Sequence, residues 1–503
     1  MSNFLLRDVH VVEVLPGTGH GSAPVDVRVR DGVVAEIGRG LDRPVGLPEY
    51  DGQGRWLIPG LWDQHTHLGQ WTMTTSRLDL AAAGSVADVQ GAVGERLRRD
   101  RETPILVGWG HRSAVWSEPP TVAALDLVTG AHPVVLISGD GHHAWVNSAG
   151  LSLLGLSQRE GMVEEYEWFE AYPRLTGLLG PSLTGPDAYQ QMFESAAAQG
   201  VVGLVDLEFE ELPAAWAARS AAGAIRQRVR VGTYAGTLDT YLGLGLSRGS
   251  VLPGADPRVT MGSLKIISDG SLNTRTAWCC APYVDRPDGG VGAPNLSADE
   301  LHDLLTRATE GGLDVATHAI GDRAVTEVLD AYEVTGARGS IEHAQLMKRG
   351  DVPRLAALGL RASVQPHHLI DDREVTDVCW SDRSDRCFMF RTMLDAGVDV
   401  VLGSDAPVAP LDPWLAIAGA VHRAAGDDDP WHPQESITAQ EALAASVDGL
   451  GTVHEGMPAD LALLDADPLD AAGSPREQAA RLRAMTVAAT WVGGEAIHGD
   501  LDA

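Results

Sequence analysis

Two histidines separated by one residue, His65 and His67, lie just after the apolar run WLIPGLW. Side chains alternate between the two faces of a β-strand, so in a strand both imidazoles would point to the same side. Two neutral imidazole nitrogens on one face form half of a metal site. Two partly buried polar histidines would have the same spacing, and the chain has 17 histidines. The pair alone therefore does not decide between the two interpretations.

Four more potential ligands lie at the ends of later apolar runs. Lys265 lies in SLKIISDG, His318 in LDVATHAI, His343 in SIEHAQL and Asp405 in VDVVLGSDAP. The carboxyl ends of the strands of a parallel barrel meet at one rim, where barrel enzymes keep their active sites. Imidazole and carboxylate ligands suit Zn²⁺ and neighbouring divalent metals. The sequence therefore predicts a metal site that these four residues share with the histidine pair.

The elements that must position these residues are eight apolar runs. They read LWDQHTH, VVGLVDLEF, VRVGTYA, SLKIISDG, LDVATHAI, SIEHAQL, RASVQP and VDVVLGSDAP. Continuous apolar runs are typical of strands buried on both faces, and helix-length spacers between them favour parallel pairing. Eight such units predict an α/β fold, a (β/α)₈ barrel of the TIM type.

The chain is longer than one hydrophobic core usually supports, so we expect further structure around the barrel. The spacer between the first two runs is too long for one helix and predicts an insertion at about residues 70–185. Short strand-like segments dominate both chain ends. We therefore expect a small β-sandwich domain from residues 1–58 and 445–503, with the barrel and its insertion at 59–444.

Composition narrows the class of protein. The net charge is −31, and no basic run with interleaved aromatic residues occurs, which argues against nucleic-acid binding. No apolar stretch is long enough to cross a membrane, and MSNFLLRDVHVVEV lacks the apolar core of a secretory signal. The four cysteines form no C-x-x-C pair and favour a reducing compartment. We expect a cytoplasmic protein with a small-molecule substrate; the oligomeric state stays open, with a homodimer as the assembly considered.

The order H-x-H, Lys, His, His, Asp resembles that of the amidohydrolase superfamily of metal-dependent hydrolases. LIPGLWDQHTH is similar to the first barrel strand of that superfamily, and GMPADLALLDADP to its return into the β domain. More narrowly, DGHHAWVNSAGL, KIISDGSLNTRTA, THAIGDRA, IEHAQ and GSDAPVAPLDPW resemble the branch that includes N-substituted formamide deformylases. The resemblance covers nearly the whole chain and implies a (β/α)₈ barrel beside a β-sandwich, and hydrolysis of a C–N or C–O bond.

The resemblance also implies one or two divalent metals per chain, Zn²⁺ being the expected ion. His65 and His67 would bind the more buried metal, and His318 and His343 the second. An ammonium offers no lone pair, so Lys265 can ligate only after CO₂ adds to its amine. The resemblance implies this carboxylated lysine as a bridging anion. The alternative is an unmodified Lys265 paired with a carboxylate such as that of Asp269.

Asp405 is expected to be both a metal ligand and the general base. A bound divalent metal lowers the pKa of water to about 7, so a metal-activated hydroxide is available at neutral pH. Asp405 would accept the proton of that water and pass it to the leaving nitrogen. The metals would stabilise the oxyanion that forms. The alternative is an aspartate that caps the helix following GSDAP.

Substrate contacts are predicted for residues of the insertion and of the loops after the barrel strands. His142 or His143 could hydrogen-bond a substrate carbonyl, and large indoles, Trp145 among them, could form an apolar pocket. Glu342 would point to the face opposite His343 and is interpreted as structural. The predicted substrate-contacting residues are Trp109, His111, His142, His143, Asn273, Arg275, Trp278, Gln365 and His367.

These observations predict a metal-dependent hydrolase that cleaves an amide-like C–N bond of a small molecule, such as an N-acyl, N-formyl, lactam or carbamate bond. An esterase or lactonase on the same metal centre is the alternative enzyme, because the attacking hydroxide discriminates weakly between acyl leaving groups. A non-catalytic scaffold that kept the barrel is the alternative of another class. Loss of ligands would be the signature of the scaffold, and here every ligand position is filled.

Overall fold

Three β-sheets and the helices between them make up the computed structural model of the chain. Strands are numbered β1–β20 and helices α1–α17 in chain order. The described residues are 3–21, 23–73, 77–100, 103–180, 185–209, 212–426 and 428–499.

Eight parallel strands form the central barrel, and their spatial order is their order in the chain. The strands are β5 (Leu61–Thr66), β11 (Val201–Asp206), β12 (Arg228–Thr233), β13 (Val259–Ile267), β14 (Asp314–Ala319), β15 (Gly339–His343), β16 (Arg361–Val364) and β17 (Asp399–Leu402). The first and last strands are joined just beyond β17, where the Asp405 amide donates to the His65 carbonyl at 2.7 Å. The His67 amide likewise donates to the Ala406 carbonyl at 2.8 Å. The fold class predicted from the eight apolar runs is confirmed.

Helices cover the outside of the barrel and connect its strands. Their apolar faces join the strands in one large core, which contains Trp216, Tyr241, Leu305 and Trp414. None of the described helices is both long and apolar enough to cross a membrane. The helices are α1 (Leu68–Thr72), α6 (Pro186–Ala197), α7 (Pro213–Ala221), α8 (Ala235–Gly243), α9 (Ala298–Glu310), α10 (Asp322–Thr335), α11 (Val352–Ala357), α12 (His368–Asp371), α13 (Arg373–Cys379), α14 (Phe390–Asp395), α15 (Pro413–His422) and α16 (Ala439–Ala444).

A seven-stranded sheet is built from both ends of the chain, in the order β20-β19-β18-β4-β1-β2-β3. Its elements are β1 (Phe4–Val11), β2 (Val25–Arg30), β3 (Val33–Gly38), β4 (Glu49–Pro59), β18 (Leu461–Leu464), α17 (Pro475–Arg483), β19 (Val487–Val492) and β20 (Glu495–His498). Asp31 and Gly32 turn the β2–β3 hairpin with positive φ angles of 51° and 77°, which Asp-Gly favours. The edge strand β3 then meets the segment before β18, since the Val34 amide donates to the Met457 carbonyl at 2.9 Å. The division into domains at residues 58 and 445 stays a prediction.

The insertion lies between β5 and β11 and contains a five-stranded sheet of its own, in the order β10-β9-β8-β7-β6. Its elements are β6 (Leu78–Asp79), α2 (Val86–Arg99), β7 (Leu106–His111), α3 (Val122–Thr129), β8 (Val134–Ser138), β9 (His143–Val146), α4 (Ser148–Leu153), β10 (Val163–Glu164) and α5 (Glu165–Leu179). Trp145 is fully buried in one of its two cores, and its indole N–H donates to the Thr121 carbonyl at 2.8 Å. Trp145 is therefore core and does not shape an apolar pocket, contrary to the sequence-based expectation.

Candidate metal centre and active site

His65, His343 and Asp405 come together at the carboxyl end of the barrel. One potential ligand atom from each lies within 4.8 Å of the other two, and all three residues are buried. They belong to β5, to the end of β15 and to the segment after β17, which places two of them at the seam of the barrel. The strand ends predicted to converge from the sequence do converge.

His67, Lys265 and His318 surround this group. His67 Nε2 lies 3.3 Å from Asp405 Oδ1, and Lys265 Nζ lies 3.3 Å from His65 Nε2. The ring of His318 lies 4.7 Å from that of His343, centroid to centroid. The structure thus brings all six predicted ligands to one small volume, while their roles as ligands stay predictions.

The electrostatics of the cluster favour the forms that bind metal. Burial, with the nearby Lys265, lowers the pKa of His65 to about 4, and burial lowers the pKa of His318 and His343 as well. Burial alone would raise the pKa of Asp405, but the imidazoles of His65 and His67 hold it well below its usual range. Neutral imidazoles and an ionised carboxylate are the protonation states that coordinate a cation.

The donor set fits a divalent metal. Among the described residues, the buried Nε2 of His318 and the buried Nδ1 of His343 have no hydrogen-bond partner. Buried imidazole nitrogens without a partner cost free energy unless a ligand satisfies them. Nitrogen donors grouped with one carboxylate match the preferences of Zn²⁺ and similar ions.

Glu342 belongs to this site, and its interpretation as a residue on the opposite face was wrong. Its Oε2 lies 2.7 Å from Nδ1 of His65, and both side chains are buried. The alternation of a regular strand fails here because His343 and Ala344 have positive φ angles of 70° and 43°. Glu342 therefore fixes the ring of His65 and leaves Nε2 to face the cluster.

A cavity of about 760 Å³ opens over the cluster between the barrel rim and the insertion, and His343 and Asp405 form part of its wall. Several predicted substrate-contacting residues line it, namely Trp109, His111, His142, His143, Asn273 and His367. His111 is nearly inaccessible, and its Nε2 lies 3.1 Å from the Leu136 carbonyl oxygen, so it is mainly part of the insertion sheet. Gln365 is not among the lining residues, and its Nε2 lies 3.5 Å from Nδ1 of His65.

Arg275 and Trp278, like Gln365, are predicted contacts that do not line this cavity in the described part of the chain. The Arg275 guanidinium pairs with Asp285 at 2.8 Å, and the Trp278 ring lies under the guanidinium of Arg323 at 4.6 Å. Arg275 has a positive φ of 59°, in a turn that directs these side chains away from the cavity. Nearness to Lys265 in sequence was a poor guide across such a turn.

The structure distinguishes the members of the pair His142 and His143. The ring of His142 lies 5.6 Å from that of His318, and its Nδ1 lies 3.0 Å from Oε2 of Glu165. His143 instead contacts Asp140 at 3.4 Å through Nδ1, and its Nε2 lies 3.3 Å from the Ser113 hydroxyl. His142 is therefore the member that faces the cluster.

Glu165 was missed by the sequence analysis. Its Oε1 accepts hydrogen bonds from the hydroxyls of Thr274 and Thr276, both at 2.7 Å, which ties the insertion to the loop after β13. Burial alone would lower the pKa of His142, but the Glu165 carboxylate raises it to about 9. No local sequence pattern around Glu165 indicates its contacts with Thr274 and Thr276, because both threonines lie more than a hundred residues away.

His368 was not among the predicted substrate contacts, which included only its neighbour His367. Nε2 of His368 lies 3.8 Å from Oδ2 of Asp405. Its ring stacks on that of His343, with 5.9 Å between centroids. Both members of the pair line the cavity, and His368 is the one beside the cluster.

Comparison with known proteins agrees with this geometry. Residues 49–498 match the model of the amidohydrolase family. The protein LONG AFTER FAR-RED 3 of Arabidopsis thaliana is 28% identical over 500 residues, which cover 90% of this chain and 84% of that protein. An N-substituted formamide deformylase of Arthrobacter pascens is 26% identical over 550 residues, covering 97% and 98%. An uncharacterized metal-dependent hydrolase from Pyrococcus horikoshii OT3 has a similar structure, with a TM-score of 0.77 at 26% identity, covering 93% and 98%.

Proposed function

Because the chain belongs to the amidohydrolase family, we propose that it is a metal-dependent hydrolase that cleaves an amide-like C–N bond of a small molecule. The grouping of His65, His343 and Asp405 within 4.8 Å is the observation that carries the proposal. N-acyl, N-formyl, lactam and carbamate bonds are the candidate targets. One relative is named an N-substituted formamide deformylase, which supports a C–N bond.

The six clustered side chains would hold one or two divalent cations, with Zn²⁺ as the expected ion. His65, His67 and Asp405 form one donor group, and His318 and His343 form the other. A cation bound there would lower the pKa of a water molecule to about 7 and polarise the substrate carbonyl.

Lys265 is proposed to act as a carboxylated lysine between the two donor groups. Burial lowers the pKa of its amine, although Glu342 and Asp405 oppose the shift. A lowered pKa favours the neutral amine, whose lone pair can attack CO₂. That addition forms an N–C bond, releases one proton and leaves a carbamate, an anion suited to two cations.

Asp405 is proposed to carry the proton through the reaction. Its carboxylate accepts a proton from the attacking water as the new C–O bond forms. It then gives that proton to the leaving nitrogen as the C–N bond breaks. Its contacts to His67 at 3.3 Å and to His65 at 3.5 Å hold it beside the reacting groups.

His142 is proposed to hydrogen-bond the substrate carbonyl oxygen. Glu165 holds its Nδ1, and among the described residues its Nε2 has no protein partner at hydrogen-bond distance. A charged imidazolium held by a carboxylate is a strong donor toward an oxygen that becomes negative. The insertion would in this way supply a substrate-binding group to a site whose metal ligands come from the barrel.

The test combines metal content with a substrate panel. The protein is purified with zinc, its metal is measured by inductively coupled plasma mass spectrometry, and N-formyl, N-acetyl, lactam and carbamate compounds are offered with matching esters. We expect at least one metal per chain and turnover of at least one C–N substrate. Asp405→Asn should lower kcat/KM about a thousandfold, whereas Asp299→Asn, an exposed aspartate of α9, should not.

Three results would overturn the proposal. Less than one metal per chain would favour a scaffold protein. Cleavage of esters alone would replace the amide bond by an ester. Wild-type turnover by Asp405→Asn would remove that residue from the chemistry.

A further inference from the structure

The cavity over the cluster has an apolar wall and an acidic wall. Trp71, Trp109, Leu272 and Ile320 contribute to the apolar wall. On the side formed by α12 and α13, the wall includes the adjacent acids Asp371 and Asp372, both partly buried, together with Arg112 and Arg373. A ligand in this cavity therefore contacts apolar surface and a carboxylate together.

Asp372 precedes α13, where an aspartate usually caps the helix, but its side chain makes no capping hydrogen bond. Its Oδ2 instead accepts a hydrogen bond from Nε2 of Gln345 at 2.8 Å. Gln345 is buried and lies two residues after His343, so Asp372 and the cluster border the same cavity. Capping therefore does not explain this carboxylate.

No cationic side chain pairs with Asp372 in the part of the chain that the structure describes. The Arg112 guanidinium is engaged with Asp371 at 2.6 Å, and Arg373 donates to the Asp429 carbonyl at 2.9 Å. Burial raises the pKa of Asp372 to about 7; the neighbouring Asp371 and Asp140 add to the shift, while the Gln345 hydrogen bond and the more distant charge of Arg112 oppose it. Asp372 is a partly buried carboxylate whose side-chain donor is one amide, so a cation in the cavity would stabilise its charged form.

Building on the proposed hydrolysis, we propose that the cavity takes substrates whose non-reacting end carries a positive charge on an apolar body, with that charge paired to Asp372. An ammonium or guanidinium group meets this requirement. The net charge of −31 favours the approach of cationic over anionic compounds. The scissile bond then lies at the cluster and the cation at the α13 side of the same cavity.

Calorimetry on the zinc-loaded protein tests the cation directly. n-Butylguanidinium and n-butylurea have nearly the same shape and differ in charge, and the guanidinium cannot deprotonate to become a metal ligand. The quantity measured is the ratio of the Kd of the urea to the Kd of the guanidinium. We expect Asp372→Asn to lower this ratio at least tenfold, since only the guanidinium loses an ion pair.

Asp377→Asn is the matched control, because Asp377 is an exposed aspartate of the same helix and its substitution changes the net charge equally. It should keep the wild-type ratio. An unchanged ratio in Asp372→Asn, or no measurable binding of butylguanidinium to the wild type at 10 mM, would overturn the proposal.

Hydrolysis separates this inference from the function on which it rests. N-acylated 1,5-diaminopentane, N-acylated hexylamine and N-acylated 5-aminopentanoate share the amide and differ in the charge of the far end. We expect kcat/KM to fall at least tenfold from the cationic to the neutral compound, and further for the anionic one. Equal cleavage of all three would overturn the cation preference and leave the hydrolase intact, whereas failure across the whole substrate panel would overturn the proposed function.

Discussion

The barrel rim and the insertion meet at one cavity but are positioned in different ways. Rim residues such as His318 and Asp405 stand at or just beyond the ends of parallel strands, so their places follow from strand order. Insertion residues such as Trp109 and His142 reach the cavity from a separate sheet. We infer that the rim carries the bond-breaking chemistry and that the insertion adjusts which substrates it meets. A rim substitution that changed only substrate selection, or an insertion substitution that removed the metal, would contradict this assignment.

The largest contrast is expected between two histidines of the cavity wall. His343→Ala removes a central member of the cluster that is proposed as a metal ligand, so bound zinc should fall and kcat/KM should drop about a thousandfold or more. His143→Ala removes an imidazole of the insertion that contacts Ser113 and Asp140, so the zinc content should stay unchanged. Mass spectrometry of the metal and steady-state kinetics measure both. Loss of zinc from His143→Ala would contradict the assignment of metal binding to the rim alone.

Glu342→Gln tests a rim residue that contacts a proposed ligand, His65, and is not itself proposed to bind the metal. Replacing the carboxylate that holds Nδ1 of His65 should weaken zinc binding about 10–100-fold. Competition with a chelating dye measures the affinity. Glu310→Gln, an exposed glutamate at the end of α9, is the control and should bind zinc as the wild type does. Equal affinities in the two variants would show that Glu342 does not position His65.

Glu165→Gln tests the contribution of the insertion to the reaction. The substitution replaces the carboxylate that pairs with His142 by a neutral amide, which should hold the imidazole less firmly. We therefore expect kcat to fall about tenfold with the zinc content unchanged. Glu167→Gln, on the same helix, removes an exposed glutamate that pairs with Arg159 and should leave kcat at the wild-type level. A change in KM without a change in kcat would limit Glu165 to substrate binding.

The smallest effect concerns the contact between Arg112 of the insertion and Asp371 of the barrel. Their closest atoms lie 2.6 Å apart, but both side chains are partly exposed, and pairs of this kind contribute little. Arg112→Gln should lower the free energy of unfolding by less than about 1 kcal/mol. Urea denaturation followed by fluorescence measures it. A much larger loss would mean that the insertion and the barrel are coupled more tightly than their contacts indicate.

The sequence predicted the rim well because continuous apolar runs identify barrel strands and the topology fixes where their ends meet. It failed where the backbone departs from regular strand geometry. The positive φ of His343 turned Glu342 toward His65, and the turn at Arg275 carried that side chain away from the cavity. Strand alternation cannot anticipate a left-handed residue at a strand end.

The insertion was less predictable for another reason. The contacts of Glu165 with Thr274 and Thr276 join segments that are distant in the chain and carry no shared periodicity. The adjacent histidines 142 and 143 likewise could not be told apart until the path of their loop was known. Residue type gave the candidates, and only packing between the two sheets selected among them.

The seam of the barrel has a consequence for biosynthesis. The His65 carbonyl accepts a hydrogen bond from the Asp405 amide, so the first barrel strand is paired on this side only after the last strand has been synthesised. A nascent chain still held by the ribosome before that point has an open sheet edge and lacks the carboxylate. Translation products truncated before Asp405 would therefore lack hydrolase activity and expose an unpaired strand edge, a form that chaperones and proteases recognise.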